Sequence, residues 1–254
     1  MLQVDHLTRY YGGIAAVLDV SFTVAPGEVL GYLGPNGSGK STTVKMLAGM
    51  LVPTRGRISF DGKDIRDSLT EYKAQVGYVP EEAHIYTYLS AEEYLRLAGR
   101  IRGLDPGPLE RRIDRFLKLF KLDAERHSAL STYSKGMRQK VLLAAALLHD
   151  PRIVILDEPA SGLDVGMMLA LRAVVAGLAR DGRIVFYSSH EMETVEKIST
   201  RVIILREGRI VADDSATRLR QLTEQKSLED VFAQLAVEDD VPQLADGLLE
   251  AMRL

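Results

Sequence analysis

The sequence lacks cysteine altogether, which excludes disulfide bonds and thiolate metal sites and suits a reducing compartment such as the cytosol. It also lacks a long apolar run, since the longest, Val141 to Leu148, is far too short to span a bilayer. No basic region followed by an apolar core opens the sequence, so we expect no secretory signal. A formal net charge of −3 gives no electrostatic reason to expect nucleic acid. With 254 residues, 46% of them hydrophobic, we expect a soluble chain with one large domain, alone or with a small insert.

The order of strand-like and helix-like segments predicts an α/β fold. Short apolar runs bounded by turns predict the strands Val17–Val24, Glu28–Leu33, Arg57–Phe60, Ile153–Leu156, Ile184–Ser188 and Val202–Leu205. From about residue 82 to residue 148 the pattern is helical, with a capping box formed by Ser90 and Glu93 and an amphipathic helix from Pro108 to Phe120. Apolar strands that alternate with helices indicate a mostly parallel sheet covered on both faces.

Residues Gly34 to Ser41 read GPNGSGKS, which fits the phosphate-loop pattern G-x-x-x-x-G-K-[ST]. The apolar segment Glu28–Leu33 precedes the loop and the helical segment Thr42–Ala48 follows it, as the pattern requires. The glycines let successive N–H groups point at phosphates, and the helix start adds its positive end. Lys40 is expected to reach the β- and γ-phosphates, and Ser41 to ligate Mg²⁺. The residues predicted to bind a nucleoside triphosphate here are Gly34, Pro35, Asn36, Gly37, Ser38, Gly39, Lys40, Ser41 and Thr42.

Two carboxylates, Asp157 and Glu158, directly follow the apolar strand Ile153–Leu156. Open α/β sheets bind ligands at the carboxyl ends of their strands, which is where this pair stands. An acidic pair at such a place is more often a helix cap or part of a solvated loop. Beside a phosphate loop, however, Mg²⁺ needs a carboxylate and the attacking water needs a base. We therefore predict Asp157 as a Mg²⁺ ligand and Glu158 as the general base.

Three further motifs occur in the order of one known family. Tyr133–Met137, ahead of an apolar helix, resembles the signature loop of the ATP-binding-cassette (ABC) ATPases. Ser161–Asp164 resembles their D-loop, and His190, after the strand Ile184–Ser188, resembles their switch histidine. Alone, the signature would fit any polar helix start, and a single histidine would more often be structural. Together with the phosphate loop and the acidic pair, five ordered motifs make residues 1–215 similar to an ABC ATPase.

The resemblance implies a P-loop NTPase fold with a mostly parallel core sheet, an N-terminal antiparallel β part and a helical insert. The implied nucleotide-binding domain covers residues 1–216, with the insert at about residues 82–148. Residues 217–254 are then a short C-terminal helical appendage. Its last part, residues 236–254, is acidic and partly amphipathic, and is expected to be a solvated terminal helix or a short dimerisation or regulatory segment.

The resemblance also implies roles for single residues, with ATP as substrate and Mg²⁺ as cofactor. Tyr11 stands where the family has the aromatic residue that stacks on adenine, although a half-buried tyrosine at a strand end is the alternative. Two cassettes face each other head to tail, so Ser134 and Gly136 are expected to contact the γ-phosphate of the partner's ATP. His190 is expected to contact the γ-phosphate and to hold Glu158 and water in line. The implied catalytic residues are Glu158, His190 and Lys40.

Two departures from the usual family pattern bear on these roles. The signature carries Tyr133 where leucine is commoner, and Lys-Gly-Met where Gly-Gly-Gln is commoner. Glu81 takes the place of the usual Q-loop glutamine, and its carboxylate can ligate Mg²⁺ but cannot donate a hydrogen bond as an amide does. Both departures resemble the branch of exporter ATPases that pair with separately encoded membrane subunits and move drugs, ions or lipids. The stretch Ser227–Phe232 is also similar to the ending of that branch.

Because the sequence has no membrane span, the resemblance implies membrane partners. We expect permease subunits encoded separately, a second cassette that makes a homodimer, and a location on the cytoplasmic face of the cell membrane. Ile85, Tyr86, Tyr88 and Leu89 are candidates for the groove that receives the permease, or they pack within the insert. The alternative function is a non-transport ABC ATPase that acts on ribosomes or DNA, but neither a second cassette nor a long coiled coil is present. A P-loop kinase would not explain the signature or the D-loop.

Overall fold

The computed structural model describes residues 1–82 and 85–236, together with residue 251. Four antiparallel strands form a sheet from the N-terminal part of the chain, namely β1 (Leu2–Tyr11), β2 (Ile14–Val24), β4 (Arg55–Phe60) and β5 (Lys63–Asp64). Their order in the sheet is β2-β1-β4-β5. Buried and exposed residues alternate along β2, as a sheet with one covered face requires. The antiparallel part that the resemblance implies is confirmed.

A second sheet of six strands forms the centre of the molecule. Its strands are β3 (Val29–Leu33), β6 (Val76–Val79), β7 (Ile153–Asp157), β8 (Ile184–Ser188), β9 (Arg201–Arg206) and β10 (Arg209–Asp214). They lie in the order β10-β9-β3-β8-β7-β6, and every neighbouring pair is parallel except β9 and β10. All residues of β3, β7 and β8 are buried, as expected for apolar strands covered on both faces. The mostly parallel core sheet is confirmed.

Alternate residues of the central strands face two different apolar clusters. In β7, Ile153 and Ile155 belong to the cluster that also contains residues of the antiparallel sheet, whereas Val154 and Leu156 belong to the cluster on the opposite face. This follows from the period of two in a strand. The first face carries α1 (Lys40–Leu47) and α2 (Leu69–Ala74), and the second carries α6 (Val165–Arg180), α7 (Met192–Ile198), α8 (Ala216–Thr223) and α9 (Leu228–Ala236).

The helical insert has an apolar core of its own. It consists of α3 (Ala91–Ile101), α4 (Pro106–Leu119), a 3₁₀ turn (Leu130–Thr132) and α5 (Lys135–Leu147). The predicted capping box is present, because Ser90 Oγ accepts a hydrogen bond from Glu93 N (3.2 Å) and Glu93 Oε2 accepts one from Ser90 N (2.9 Å). Helix α4 begins earlier than predicted because Pro106 fits the first helical turn, where a missing N–H costs no helical hydrogen bond.

The sequence does not predict the polar edge strands. Strand β10 alternates exposed and half-buried residues and β5 has only two residues, so neither has the apolar run that marks the central strands. Strand β2 begins at Ile14 rather than Val17, because its pairing with β1 continues to the turn, where Ile14 lies opposite Tyr11. Pairing with a neighbour, and not local pattern, extends these strands.

The C-terminal helices share the core of the central sheet. Leu228 and Val231 in α9 are fully buried, in the same cluster as Val202 of β9. The predicted division of the chain at residue 216 stays a prediction. The features predicted for the segment 237–254 lie outside the described residues, apart from residue 251.

The core of the insert predicts a stability difference between two leucines of α4. Leu117 is 1% exposed and Leu119 is 68% exposed. Leu117→Ala should lower the free energy of unfolding by about 2–5 kcal/mol, since it leaves a cavity. Leu119→Ala, the matched control, should stay within about 0.5 kcal/mol of the wild type. Urea unfolding followed by circular dichroism measures both, and equal effects would contradict this packing of α4.

Candidate active site

The loop Gly34–Gly39 connects the carboxyl end of β3 with the first turn of α1. Gly39, the residue before the helix, has φ 100°, in the left-handed region. A Cβ at this position would overlap the carbonyl oxygen of Ala16 in β2, so only glycine fits. The loop is thus held close to the antiparallel sheet, with the N–H groups of the first turn of α1 at its end. Such a helix start is an anion-binding site.

Lys40 folds back over the loop. Its Nζ donates hydrogen bonds to the carbonyl oxygens of Gly34 (2.6 Å) and Pro35 (3.1 Å). Burial lowers the pKa of Lys40, and the negative charges of Glu158, Asp157 and Glu81 oppose that shift. The loop therefore presents one cation that is partly removed from water and faces three carboxylates.

Asp157 ends β7 and is only 3% exposed. Burial raises its pKa to about 6, and the charges of Glu81 and Glu158 act in the same direction, while Lys40 opposes them. The carboxylate is therefore costly to keep ionised, and a cation beside it would relieve that cost.

Glu158 is held in a strained backbone conformation, with φ 47°. Its N–H donates to the carbonyl oxygen of Ser188, at the end of the neighbouring strand β8 (2.9 Å). Both carboxylate oxygens have partners, because Oε1 lies 2.8 Å from Nδ1 of His190 and Oε2 accepts from Ser189 Oγ at 3.1 Å. The imidazole itself is largely exposed. A carboxylate fixed at both oxygens beside an exposed imidazole is an arrangement suited to orienting and deprotonating water.

These groups line one cleft of about 690 Å³. The predicted residues that it brings together are Tyr11, Gly34, Pro35, Asn36, Gly37, Gly39, Lys40, Ser41, Thr42, Glu81, Asp157, Glu158 and His190. Ser38 is not on the cleft wall, since it is 3% exposed and the structure buries it beneath the loop. Tyr11 is half exposed, and the Arg9 guanidinium lies 4.9 Å from the centre of its ring.

The site also includes residues that the motifs did not single out. Met192 and Phe232 line the cleft, and Ser189, which is buried and not on the cleft wall, contacts Glu158. The signal for Ser189 is its place between β8 and His190. Phe232 belongs to the stretch Ser227–Phe232, whose only signal in the sequence is its similarity to the ending of the exporter branch.

Ser134 and Gly136 do not line this cleft. Ser134 is exposed at the start of α5, where its Oγ accepts a hydrogen bond from Met137 N (3.2 Å). A Cβ at Gly136 would overlap the carbonyl oxygen of Gly162, so the signature and the D-loop are packed backbone to backbone. The D-loop in turn caps α6, because Asp164 Oδ1 accepts from Met167 N (2.8 Å).

The donors proposed for Mg²⁺ suit that ion. Ser41, Asp157 and Glu81 offer a hydroxyl and two carboxylates on one cleft, which are the hard oxygen donors that Mg²⁺ prefers. Within residues 1–82 and 85–236, no group of three or more His, Asp or Glu side chains could hold a metal by itself. In phosphate sites Mg²⁺ is usually bound by one or two carboxylates together with phosphate oxygens and water. The buried charge of Asp157 is the feature that such a cation would neutralise.

These features are those of a P-loop ATPase whose acidic pair stands at the end of β7, separated by β8 from the phosphate-loop strand β3. Residues 17–161 match the ABC transporter family. The chain is 36% identical over 220 residues to the ABC transporter ATP-binding protein NatA of Bacillus subtilis (strain 168), covering 86% of this chain and 89% of that protein. It is 35% identical over 219 residues to the linearmycin resistance ATP-binding protein LnrL of the same organism, covering 86% of this chain and 70% of that protein. The chain therefore belongs to the ATP-binding proteins of ABC transporters, and it is an ATPase.

Solved structures share the fold. The ATP-binding subunit of an ABC transporter superposes with a TM-score of 0.87 at 34% identity, over 92% of this chain and 99% of that one. A dimeric ATP-binding cassette in a post-hydrolysis state with ADP and Pi superposes with a TM-score of 0.76 at 24% identity, over 85% of this chain and 98% of that one. In the part of the chain that the structure describes, no helix combines the length and apolar character needed to cross a membrane.

For the chain without metal or nucleotide, the raised pKa of Asp157 predicts how the free energy of unfolding depends on pH. The folded chain holds a proton on Asp157 up to about pH 6, whereas the ordinary value is 3.8, so stability falls as pH rises through this window. Asp157→Asn removes the charge and should raise the free energy of unfolding by about 1–3 kcal/mol at pH 7.5. The gain should shrink below pH 6 and vanish below pH 3.8.

Urea unfolding in EDTA at pH 7.5, 5.5 and 3.5 measures this dependence. Asp181→Asn, an exposed carboxylate at the end of α6, is the control and should change stability by less than about 0.5 kcal/mol. A variant Asp157→Asn that is less stable than the wild type at pH 7.5 would contradict the desolvation argument.

Proposed function

We propose that this chain is the ATP-hydrolysing subunit of an export transporter, in which two cassettes drive permease subunits encoded separately. One observation carries the proposal: the predicted site residues are divided between two surfaces. The phosphate loop, Asp157, Glu158 and His190 share a cleft, while Ser134 and Gly136 lie outside it. A chain divided in this way needs a second copy to complete each site. Two copies arranged head to tail supply the signature of one chain to the cleft of the other.

ATP binds with its phosphates on the loop and on the first turn of α1. Lys40 exchanges its two carbonyl partners for phosphate oxygens, which gives stronger, charge-assisted hydrogen bonds. Tyr11, half exposed on the same cleft, stacks on the adenine ring. Ser41, Asp157 and Glu81 would hold Mg²⁺ together with the phosphates, and the ion would supply neutralisation of negative charge on the β- and γ-phosphoryl groups.

Hydrolysis uses Glu158 as the general base. Its carboxylate accepts a proton from the water that attacks the γ-phosphorus, and His190 and Ser189 keep both its oxygens in place. The exposed face of His190 is free to contact the γ-phosphate in the closed dimer. Lys40 stabilises the charge that is spread over the transferred group.

Dimer closure follows from the contacts that the γ-phosphate adds. Ser134 and the N–H groups at the start of α5 approach it from the second chain, and the positive end of that helix favours the anion. ATP therefore stabilises the closed dimer, and loss of the γ-phosphate allows it to reopen. Every residue type required by one site is present in this chain, so a homodimer has two complete sites.

Permease docking is expected on the insert, beside a groove of about 540 Å³ that includes Met50, Tyr94 and Ile101. Of the candidate side chains, Tyr86 and Tyr88 are exposed, with ring centres 5.9 Å apart. Ile85 is half-buried and packs against two core clusters, and Leu89 is half-buried. Only the two tyrosines therefore offer a free surface to a partner.

Two observations support the proposal, one for export and one for a location at the cytoplasmic face of the cell membrane. The relative LnrL is named for linearmycin resistance, and drug efflux is a direct route to resistance. The described residues contain no membrane-crossing helix, so attachment through permease subunits would place the chain at the membrane.

Binding depends on Lys40. Lys40→Ala should weaken ATP binding by about 1.5–3 kcal/mol, the size of a lost charged hydrogen bond. Lys45→Ala, on the exposed side of the same helix, should bind like the wild type. Isothermal titration calorimetry with Mg-ATP gives both affinities. Equal ATP affinities for the wild type and both variants would show that the phosphate loop does not bind ATP.

Hydrolysis depends on Glu158. Glu158→Gln keeps the shape and removes the base, so turnover should fall by roughly 10²–10⁴-fold. ATP binding should persist, and the variant should accumulate as an ATP-bound dimer in size-exclusion chromatography. Glu193→Gln, an exposed carboxylate on α7, is the control and should turn over normally. Near-normal turnover of Glu158→Gln would show that another group is the base.

The shared site is tested with Ser134→Arg, which places bulk where the partner's γ-phosphate must fit. ATP binding should be nearly unchanged and ATPase activity lost, whereas Ser131→Arg, at an exposed position of the preceding 3₁₀ turn, should be active. Mixing Ser134→Arg with Lys40→Ala chains puts both lesions on one site of a heterodimer and leaves the other site intact. Activity of the mixture above either variant alone is the expected result. A Ser134→Arg chain that hydrolyses ATP normally as a monomer would refute the two-cassette mechanism.

A further inference from the structure

The stretch Ser227–Phe232 comprises the residue before α9 and the first part of that helix. Most of its side chains have evident structural roles. Ser227 Oγ accepts a hydrogen bond from Asp230 N (3.1 Å) and donates one to Asp230 Oδ2 (2.7 Å), which closes the start of the helix. Leu228 and Val231 are fully buried in the cluster beneath the central sheet. These contacts account for the helix and its packing.

Phe232 differs from the other side chains of this stretch in its position. Its ring is 8% exposed and belongs to the same cluster, but it also forms part of the wall of the ATP cleft, with His190 and Met192. It is the only residue of α8 and α9, within their described lengths, that lines this cleft. A C-terminal helix thus reaches the reaction site with one aromatic side chain.

The loop that carries His190 is held on one side by Ser189, whose Oγ donates to Glu158 Oε2 and accepts from Glu191 N. It runs from the end of β8 to the start of α7 at Met192, and the imidazole is largely exposed with Glu158 as its partner. Met192 is half-buried and packs against the cluster that contains Phe232 and Val195. Helices α7 and α9 are in contact. Helix α7 also contacts β3 and α6, so its packing against α9 is one of the supports of the Met192 end of the loop.

We propose that Phe232 is a positioning residue for ATP hydrolysis: its ring supports the Met192 end of the loop and so keeps His190 on Glu158. This inference rests on the roles proposed above for Glu158 and His190. Removing the ring leaves a void at the cleft wall, into which Met192 and the loop can relax. A shift of about 1 Å at a reacting group is enough to lower turnover markedly.

The test compares a truncation, a conservative change and a matched control on the same helix. Phe232→Ala should lower kcat by roughly 10-fold or more, with the KM for ATP and the affinity for ATP changed less than about 3-fold. Phe232→Leu keeps an apolar side chain of similar reach and should recover most of the turnover. Leu228→Ala also loses buried apolar contacts, but Leu228 does not line the cleft, so its kcat should stay near the wild type.

A double-mutant cycle with His190→Ala separates positioning from general destabilisation. If Phe232 acts through His190, Phe232→Ala should lower kcat no further once His190 is alanine. Additive losses in the double variant, or a wild-type kcat for Phe232→Ala, would overturn the inference. If the alanine variant does not fold, Phe232→Val gives the same comparison with a smaller void. Turnover that does not depend on Glu158 would instead refute the role proposed above for Glu158, and this outcome is distinct from the others.

Discussion

The parallel pairing of β7 with β8 is the interaction on which the active site depends. Its register sets Asp157 opposite Ser188, so both strands end at one edge of the sheet. The N–H of Glu158 then donates to the carbonyl of Ser188, and His190 reaches the carboxylate of Glu158. A shift of one residue would turn Asp157 to the other face of the sheet and break this set of contacts.

The site also contains unfavourable terms that the surrounding fold sustains. Glu158 has a left-handed backbone, which costs about 1–2 kcal/mol for a residue with a side chain. Asp157 is buried close to two like charges, and burial makes the charged form of Lys40 less favourable. Bound phosphates would offset the cost of the charged form of Lys40, and a divalent cation would offset the cost of the buried charge of Asp157. Such compensation makes the site more stable with its ligands than without them.

The insert and the C-terminal helices contact different parts of the site. Gly136 packs against Gly162, which joins the start of α5 to the D-loop. On the other side, Phe232 connects α9 with the wall beside His190. Of these two parts of the chain, only α9 lines the ATP cleft, whereas the described residues of the insert contact the D-loop outside it.

Features whose chemistry is local could be predicted from the amino-acid sequence. The phosphate loop, the acidic pair after Leu156 and the capping box at Ser90 can be read from neighbouring residues, because short-range geometry dictates them. The apolar strands β3, β7, β8 and β9 were equally clear. Strands β1 and β6 were not predicted, and neither were the edge strands β5 and β10, which are strands because they pair with a neighbour rather than because of apolar content.

Which distant residues share the cleft could be seen only from the tertiary structure. Ser38 lies within the phosphate-loop motif, yet close packing buries it beneath the loop. Ser189 and Phe232 have no motif that marks a role, yet the register of β8 and the packing of α9 bring them to the site. Ser134 belongs to a motif of the family but lies outside the cleft, since α5 starts on another surface. Sequence names the reacting groups, whereas their distances follow from strand register and helix packing, which no local pattern encodes.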